Sequence, residues 1–238
     1  MKALPEPASL TRRSQILLWL LLLIVSGFFS TLAAAAGWIE LHRIFKPLTM
    51  VCALLMVLVR ARTTELTSAR FELMLAAALM FSLLGDVALM FSGYFIEGLV
   101  AFLLAHLAYI ALFRQGVSWF AHRKALAVTL AIGLAMYVFL WVGGLPRELR
   151  LPVAAYVLVI ALMAAQALGR ASVLKDRRSM WVGAGACFFM ASDALLATNR
   201  FVTPLPLSQL WVLGTYYAAQ ILIAYHARPV SGSEGRGA

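Results

Sequence analysis

Residues 81–90 read FSLLGDVALM and set one carboxylate, Asp86, inside a run of more than twenty otherwise apolar residues. About a hundred residues later, residues 188–198 read FFMASDALLAT and repeat the arrangement around Asp193. In each stretch an aromatic stands five positions before the aspartate and a leucine three positions after it. A carboxylate in hydrocarbon costs several kcal/mol unless it is paired, hydrated or protonated, so such residues face a bundle interior or a cavity. Two of them point to one polar site inside a membrane bundle.

The composition around these stretches agrees. Of 238 residues, 63% are hydrophobic and 13% charged, and the mean hydropathy is +0.89. That places the chain among all-α polytopic membrane proteins. No interval is polar enough for a separate soluble domain. The net charge of +10 comes from basic residues lying between apolar spans, where they act as topology signals and not as a nucleic-acid surface. Cys52 and Cys187 each lie in an apolar run, so neither a disulfide nor a metal framework follows.

Along the chain, residues 1–15 form a basic, polar N-terminal segment, residues 16–226 one transmembrane helical domain, and residues 227–238 a Gly/Ser-rich tail that reads as disordered. Arg12 and Arg13 precede an apolar run too long for a signal-peptide core, which reads as a retained first helix. Eight spans are expected: Ile16–Ala36, Phe45–Val59, Phe71–Phe91, Phe95–Phe113, Ala125–Val142, Pro152–Leu168, Met180–Ala197 and Pro206–Tyr225.

With both termini cytoplasmic, fifteen Lys and Arg fall in inner segments and five in outer ones, as the positive-inside bias requires. The third and seventh spans then run outward. Asp86 lies sixteen residues beyond Arg70 and Asp193 fifteen beyond Arg178, similar climbs of about 23 Å at 1.5 Å per residue. The two carboxylates are expected at one depth in the outer half of the membrane, with the third and seventh helices as neighbours. An offset of 107 superposes Ala77, Phe81, Asp86, Leu89 and Tyr109 on Ala184, Phe188, Asp193, Leu196 and Tyr216, a weak hint of duplication.

Other polar groups lie in the spans. His106 precedes Tyr109 by nearly one turn, and Gln209, Tyr216 and Gln220 are spaced seven and four apart on the eighth span. Lys46 precedes Pro47, which suits the first turn of the second helix and would leave the ammonium near the outer surface, free to snorkel. A zinc hydrolase lacks its ligands, since only His106 of the four histidines lies within a span and no H-E-x-x-H pair occurs. No G-x-S-x-G elbow occurs either, and Ser192 reads equally well as a small packing residue. Neither cofactor nor metal is expected.

Read in order, Lys46-Pro47, Gly85-Asp86, Phe95-x-x-Gly98, Phe102-x-x-x-His106-x-x-Tyr109, Ala155-Tyr156 with Met163, Gly185-Ala186 through Phe188 to Ser192-Asp193-x-x-Leu196-Ala197, Arg200-Phe201 and Tyr217-x-x-Gln220 resemble the YhhN-like lysoplasmalogenase family over roughly residues 46–220. The resemblance implies an eight-span fold and hydrolysis of the vinyl ether bond of lysoplasmalogens to a fatty aldehyde and a glycerophospho-base. The partners so implied are a lysophospholipid substrate and membrane lipid, with no nucleic acid, in an inner (cell) membrane.

That chemistry suits the residues. Protonating the β-carbon of a vinyl ether gives an oxocarbenium-like cation that water captures, so one acid and one base are needed. Asp86 and Asp193 are the expected catalytic pair, as carboxylate pairs serve glycosidases through similar cations. Lys46, His106, Tyr109, Tyr156, Ser192, Tyr217 and Gln220 are expected to bind substrate around them, Lys46 at the phosphate. The alternative is a transporter or non-catalytic lipid-binding protein, because the same acids also build proton relays and substrate sites.

Overall fold

The computed structural model describes residues 7–62 and 66–230. Among these it forms eight helices and no strand: α1 (Pro7–Ala35), α2 (Ile39–Ala61), α3 (Leu66–Leu89), α4 (Phe95–Arg114), α5 (Arg123–Val142), α6 (Arg147–Leu174), α7 (Arg177–Phe201) and α8 (Ser208–His226). Seven are long and apolar enough to cross a membrane, α1 to α7. The eighth, α8, is more polar because Tyr216, Tyr217 and Gln220 place their polar atoms inside the bundle. The chain is an integral, multi-pass, all-α membrane protein.

The helices pack in the order α1, α2, α3, α4, α6, α7, α8 and back to α1, while α5 stands outside this ring against α6 and touches α7 only slightly. The sequence leads one to expect α3 and α7 as neighbours, but they share no packed interface. They face each other across the ring. Phe102 of α4 fills the space between, its ring centroid 6.2 Å from Phe189 of α7 and 6.0 Å from Tyr216 of α8.

The helices overrun the spans read from hydropathy, since a helix continues through charged residues whose heads reach solvent or a partner. The difference matters most in α2. It begins at Ile39, so Pro47 lies inside the helix and Lys46 two turns from its start. Lacking an N–H, Pro47 leaves the carbonyl of Arg43 without its intrahelical donor. Lys46 is thereby carried off the surface and into the ring. At the preceding turn Gly37 adopts φ +75°, and the Trp38 N–H returns to the Ala33 carbonyl at 2.8 Å, closing α1 in a left-handed cap that glycine takes without strain.

At the end of the bundle opposite the aspartates, Arg60 of α2 is buried against Glu72 of α3 at 2.6 Å, and its other donors reach the carbonyls of Ala224 and Tyr225. Arg170 of α6 holds the carbonyls of Gln115 and Arg228. It thereby draws residues 227–230, the start of the expected tail, onto the bundle, where Ala227 is buried. Residues 1–6 and 231–238 of the terminal segments lie outside the described residues.

Candidate active site

Six helices of the ring each contribute one polar side chain to the site, in two groups of three. In the first group, Asp86 of α3 is 2% exposed. Its Oδ1 lies 3.2 Å from Nζ of Lys46 on α2, and its Oδ2 accepts from the hydroxyl of Tyr216 on α8 at 2.6 Å. Both carboxylate oxygens are therefore engaged, one by a cation and one by a phenol. Charge-assisted contacts are worth roughly twice neutral ones, and two of them offset much of the several kcal/mol a buried carboxylate costs.

In the second group, Asp193 of α7 accepts from the hydroxyl of Tyr156 on α6 through Oδ2. His106 of α4 sits behind it, with Nε2 2.9 Å from the Tyr156 oxygen and 3.5 Å from Asp193 Oδ2. Tyr156 gives its hydrogen to the carboxylate, so its oxygen accepts from His106. That puts a hydrogen of the imidazole on Nε2, and Nδ1 is left buried without a partner among the described residues. Asp193 differs from Asp86 in one decisive respect. Its Oδ1 has no partner among the described residues, on a side chain 17% exposed.

Two cavities meet at this carboxylate. The first, about 260 Å³, is lined by His42, Arg43, Lys46, Asp86, Asp193 and Tyr216 among others, so both aspartates open into one space. The second, about 690 Å³, lies between α4, α5, α6 and α7 and is lined almost wholly by apolar side chains such as Leu99, Met136, Leu140, Val157 and Met190. It exists because α5 leans on α6, where Gly133 meets Val157 and Ala161, without packing comparably on α4. Asp193, Phe102, Leu89 and Leu196 line both cavities. Phe102 can occupy the dividing wall only because residue 85 is glycine: a Cβ there would lie 2.5 Å from its ring.

The structure brings Asp86, Asp193, Lys46, His106 and Tyr156 of the candidate residues together around the cavities. Ser192 lines the polar cavity, but its hydroxyl is bonded to the Val212 carbonyl at 2.9 Å, tying α7 to α8. Tyr217 turns to α1, bonding Ser30 at 2.7 Å, and Ser30 in turn meets His42. Tyr109 donates to Gln220 at 2.8 Å in the buried core, and neither lines either cavity. These four are ties between helices.

Sequence reasoning placed Tyr217 among the substrate-binding residues and missed Tyr216 beside it as the partner of Asp86. The seven-residue spacing from Gln209 to Tyr216 is the signal that could have found it, since both line the polar cavity. Arg43 was also missed. Counted as an outer-loop residue, it stands in the first turns of α2 at the cavity rim, bonded to Glu40 at 2.9 Å and lying over the Phe91 ring. No group of three metal-ligating side chains occurs among the described residues.

Comparison with known proteins gives consistent relatives. Human lysoplasmalogenase TMEM86B is 36% identical over 160 residues, 67% of this chain and 66% of the human one. Human lysoplasmalogenase TMEM86A is 35% identical over 154 residues, 63% of this chain and 62% of that one. A lysoplasmalogenase of Mycobacterium tuberculosis is 30% identical over 156 residues, 63% of this chain and 58% of its own. The chain thus spans just under two thirds of the length of these curated relatives. No solved structure matches it. The YhhN family matches residues 41–227, which include every polar group of the two triads. With well over half its length matched, the chain belongs to the YhhN family.

Proposed function

We propose that this protein hydrolyses the vinyl ether bond of a lysoplasmalogen-type lysolipid, releasing a fatty aldehyde and a glycerophospho-base. The observation that carries the reading is the position of Asp193, with its unengaged Oδ1, at the junction of a polar and a long apolar cavity. A single-chain lipid has the same division. Its tail suits the space between α4, α5, α6 and α7, whose volume falls within the usual range of ligand sites. Its glycerophosphate suits the polar cavity, where Arg43 and His42 line the rim. The bond between the two parts then lies at the carboxylates. The lysoplasmalogenase names of the relatives support the same substrate class.

The unengaged Oδ1 of Asp193 supports a division of work between the acids. In its protonated form Asp193 delivers a proton from Oδ1 to the β-carbon of the C=C bond, whose electron pair forms the new C–H bond. The α-carbon becomes an oxocarbenium-like centre. Asp86, paired with Lys46 and bonded by Tyr216, stabilises that charge in its carboxylate form. Water adds to the α-carbon while Asp193, now a carboxylate, takes its proton, as one carboxyl group serves twice in retaining glycosidases. The hemiacetal collapses to aldehyde and glycerol hydroxyl, so one water is consumed and no redox change occurs. Tyr156 and His106 are positioning residues, holding Oδ2 so that Oδ1 faces the substrate.

The excess of basic residues in alternate loops supports placing the polar cavity on the outer side of an inner or cell membrane, with both termini cytoplasmic. The deciding experiment is aldehyde release by purified protein in detergent from a lysoplasmalogen, with chelator present, against the saturated ether analogue. Release from the vinyl ether alone is expected. Binding of both lipids with no aldehyde would refute the enzyme reading.

A further inference from the structure

A third cavity, of about 110 Å³, opens at the opposite end of the bundle, between the last turns of α6 and α8 and the first of α7. Three guanidinium groups line it, Arg170, Arg178 and Arg228, against one carboxylate, Asp176. That carboxylate is already engaged, because its Oδ1 accepts from the backbone N–H groups of Arg178 and Ser179 as the cap of α7. Glu72, the other acid nearby, is taken by Arg60.

Among the described residues the three arginines have no other carboxylate in hydrogen-bond contact. Arg170 is buried, donates among the described residues to the backbone carbonyls of Phe113, Gln115 and Arg228, and lies over the Phe71 ring. The Arg228 side chain donates only to the Ala227 carbonyl, and the Arg178 side chain has no hydrogen-bond or carboxylate partner among the described residues. Burial first, and then the neighbouring charge of Arg60, outweigh the pull of Glu72 and lower the Arg228 pKa to about 10. The same rim carries His226 and Ser179, which add hydrogen-bonding capacity.

We propose that this cavity binds a phosphate-bearing anion through Arg170, Arg178 and Arg228, with the headgroup of an anionic phospholipid as the source its position favours. Basic pockets between transmembrane helices at the cytoplasmic face take such headgroups, and guanidinium groups suit the bidentate contacts phosphate offers. The site is separate from the aspartate cavity but shares its helices: α6 carries Arg170 and Tyr156, and α7 carries Arg178 and Asp193. Arg228 follows α8, which carries Tyr216. An anion here would clamp the ends of three helices whose other halves hold the reactive groups.

The test is thermal unfolding of the full chain in uncharged detergent, titrated with phosphatidylglycerol, with phosphatidylcholine, with inorganic phosphate, and with sodium chloride at matched ionic strength. Ligand binding to the folded state should raise Tm by roughly 3–5 °C for each tenfold of ligand above its dissociation constant. Phosphatidylglycerol should raise Tm, and phosphatidylcholine and chloride should not. An equal rise with inorganic phosphate assigns the site to free phosphate, and a rise with the lipid alone assigns it to the headgroup. Arg178→Gln together with Arg228→Gln should abolish the shift, and Arg178→Gln alone, at an exposed position, should weaken it about tenfold in concentration. Arg62→Gln, an exposed cation elsewhere at this end, should leave it intact. The proposal is overturned if no anion raises Tm, if the double variant keeps the shift, or if Arg62→Gln removes it as fully as Arg178→Gln.

Discussion

Replacing Lys46 by Met separates two roles that a lysine in this place can have. If its charge serves chiefly to neutralise Asp86, 3.2 Å away, then the substitution leaves a carboxylate that is 3% exposed with only the Tyr216 hydroxyl for support. Breaking a buried ion pair by removing one partner typically costs about 3–5 kcal/mol. The lower end applies here, because the Lys46 side chain is 11% exposed and opens on a cavity that admits water. For a chain of this size about 3 kcal/mol corresponds to a fall in Tm of roughly 6–12 °C. Adding Asp86→Asn removes the stranded charge and should restore most of that loss while leaving the protein inactive. If Lys46 serves only the lipid phosphate, Tm should not move and the loss should appear as weaker lysolipid binding. Melting of the two single variants and the double, with lysolipid binding in parallel, decides it. A Lys46→Met protein melting within about 2 °C of wild type, or a double variant no more stable than the single, would refute the pairing argument.

Further outcomes follow from the same geometry. Asp193→Asn and Asp86→Asn should each lower aldehyde release by about 10²- to 10⁴-fold with folding retained, since each removes a positioned acid or the stabilising charge; turnover within threefold of wild type for either would exclude it from the chemistry. Tyr156→Phe removes a hydrogen bond to Asp193 that becomes charge-assisted, and worth about 1.5–3 kcal/mol, only as the acid gives up its proton, and should reduce kcat by roughly 10- to 100-fold with little change in KM. Gly85→Val drives a side chain into the Phe102 ring and should destabilise the fold by about 1–3 kcal/mol, read by thermal melting. Asp176→Ala should cost about 1 kcal/mol at neutral pH as a lost helix cap. Although partial burial opposes it, hydrogen bonds from Ser179 and Arg178 hold the Asp176 carboxyl below the usual range. Its contribution is therefore complete above the ordinary aspartate pKa of about 3.9 and is lost as pH falls through the lowered value, so wild type and variant should converge in melts at low pH.

Sequence alone identifies a membrane bundle of eight helices and singles out Asp86 and Asp193, the two carboxylates that open into the polar cavity. Both readings rest on one-dimensional quantities: the length of apolar runs, and the cost of a carboxylate that hydrocarbon cannot solvate. Periodicity did not reveal which helices touch, because in lipid both the inward and outward faces of a span are apolar and the amphipathic signal is weak. So the ring order, the displacement of α5 that opens the apolar cavity, and Phe102 standing between α3 and α7 were decided only by side-chain packing across helices. The start of α2 shows the same limit at residue scale. Hydropathy begins that span at Phe45, but the helix starts at Ile39, takes Lys46 into the bundle and sets Arg43 at the cavity rim. Tyr216 and Tyr217 are adjacent in sequence and equally suited to bond a carboxylate. About 100° of helical rotation separates them, and only the tertiary structure shows that this turn sends Tyr216 to Asp86 and Tyr217 to Ser30.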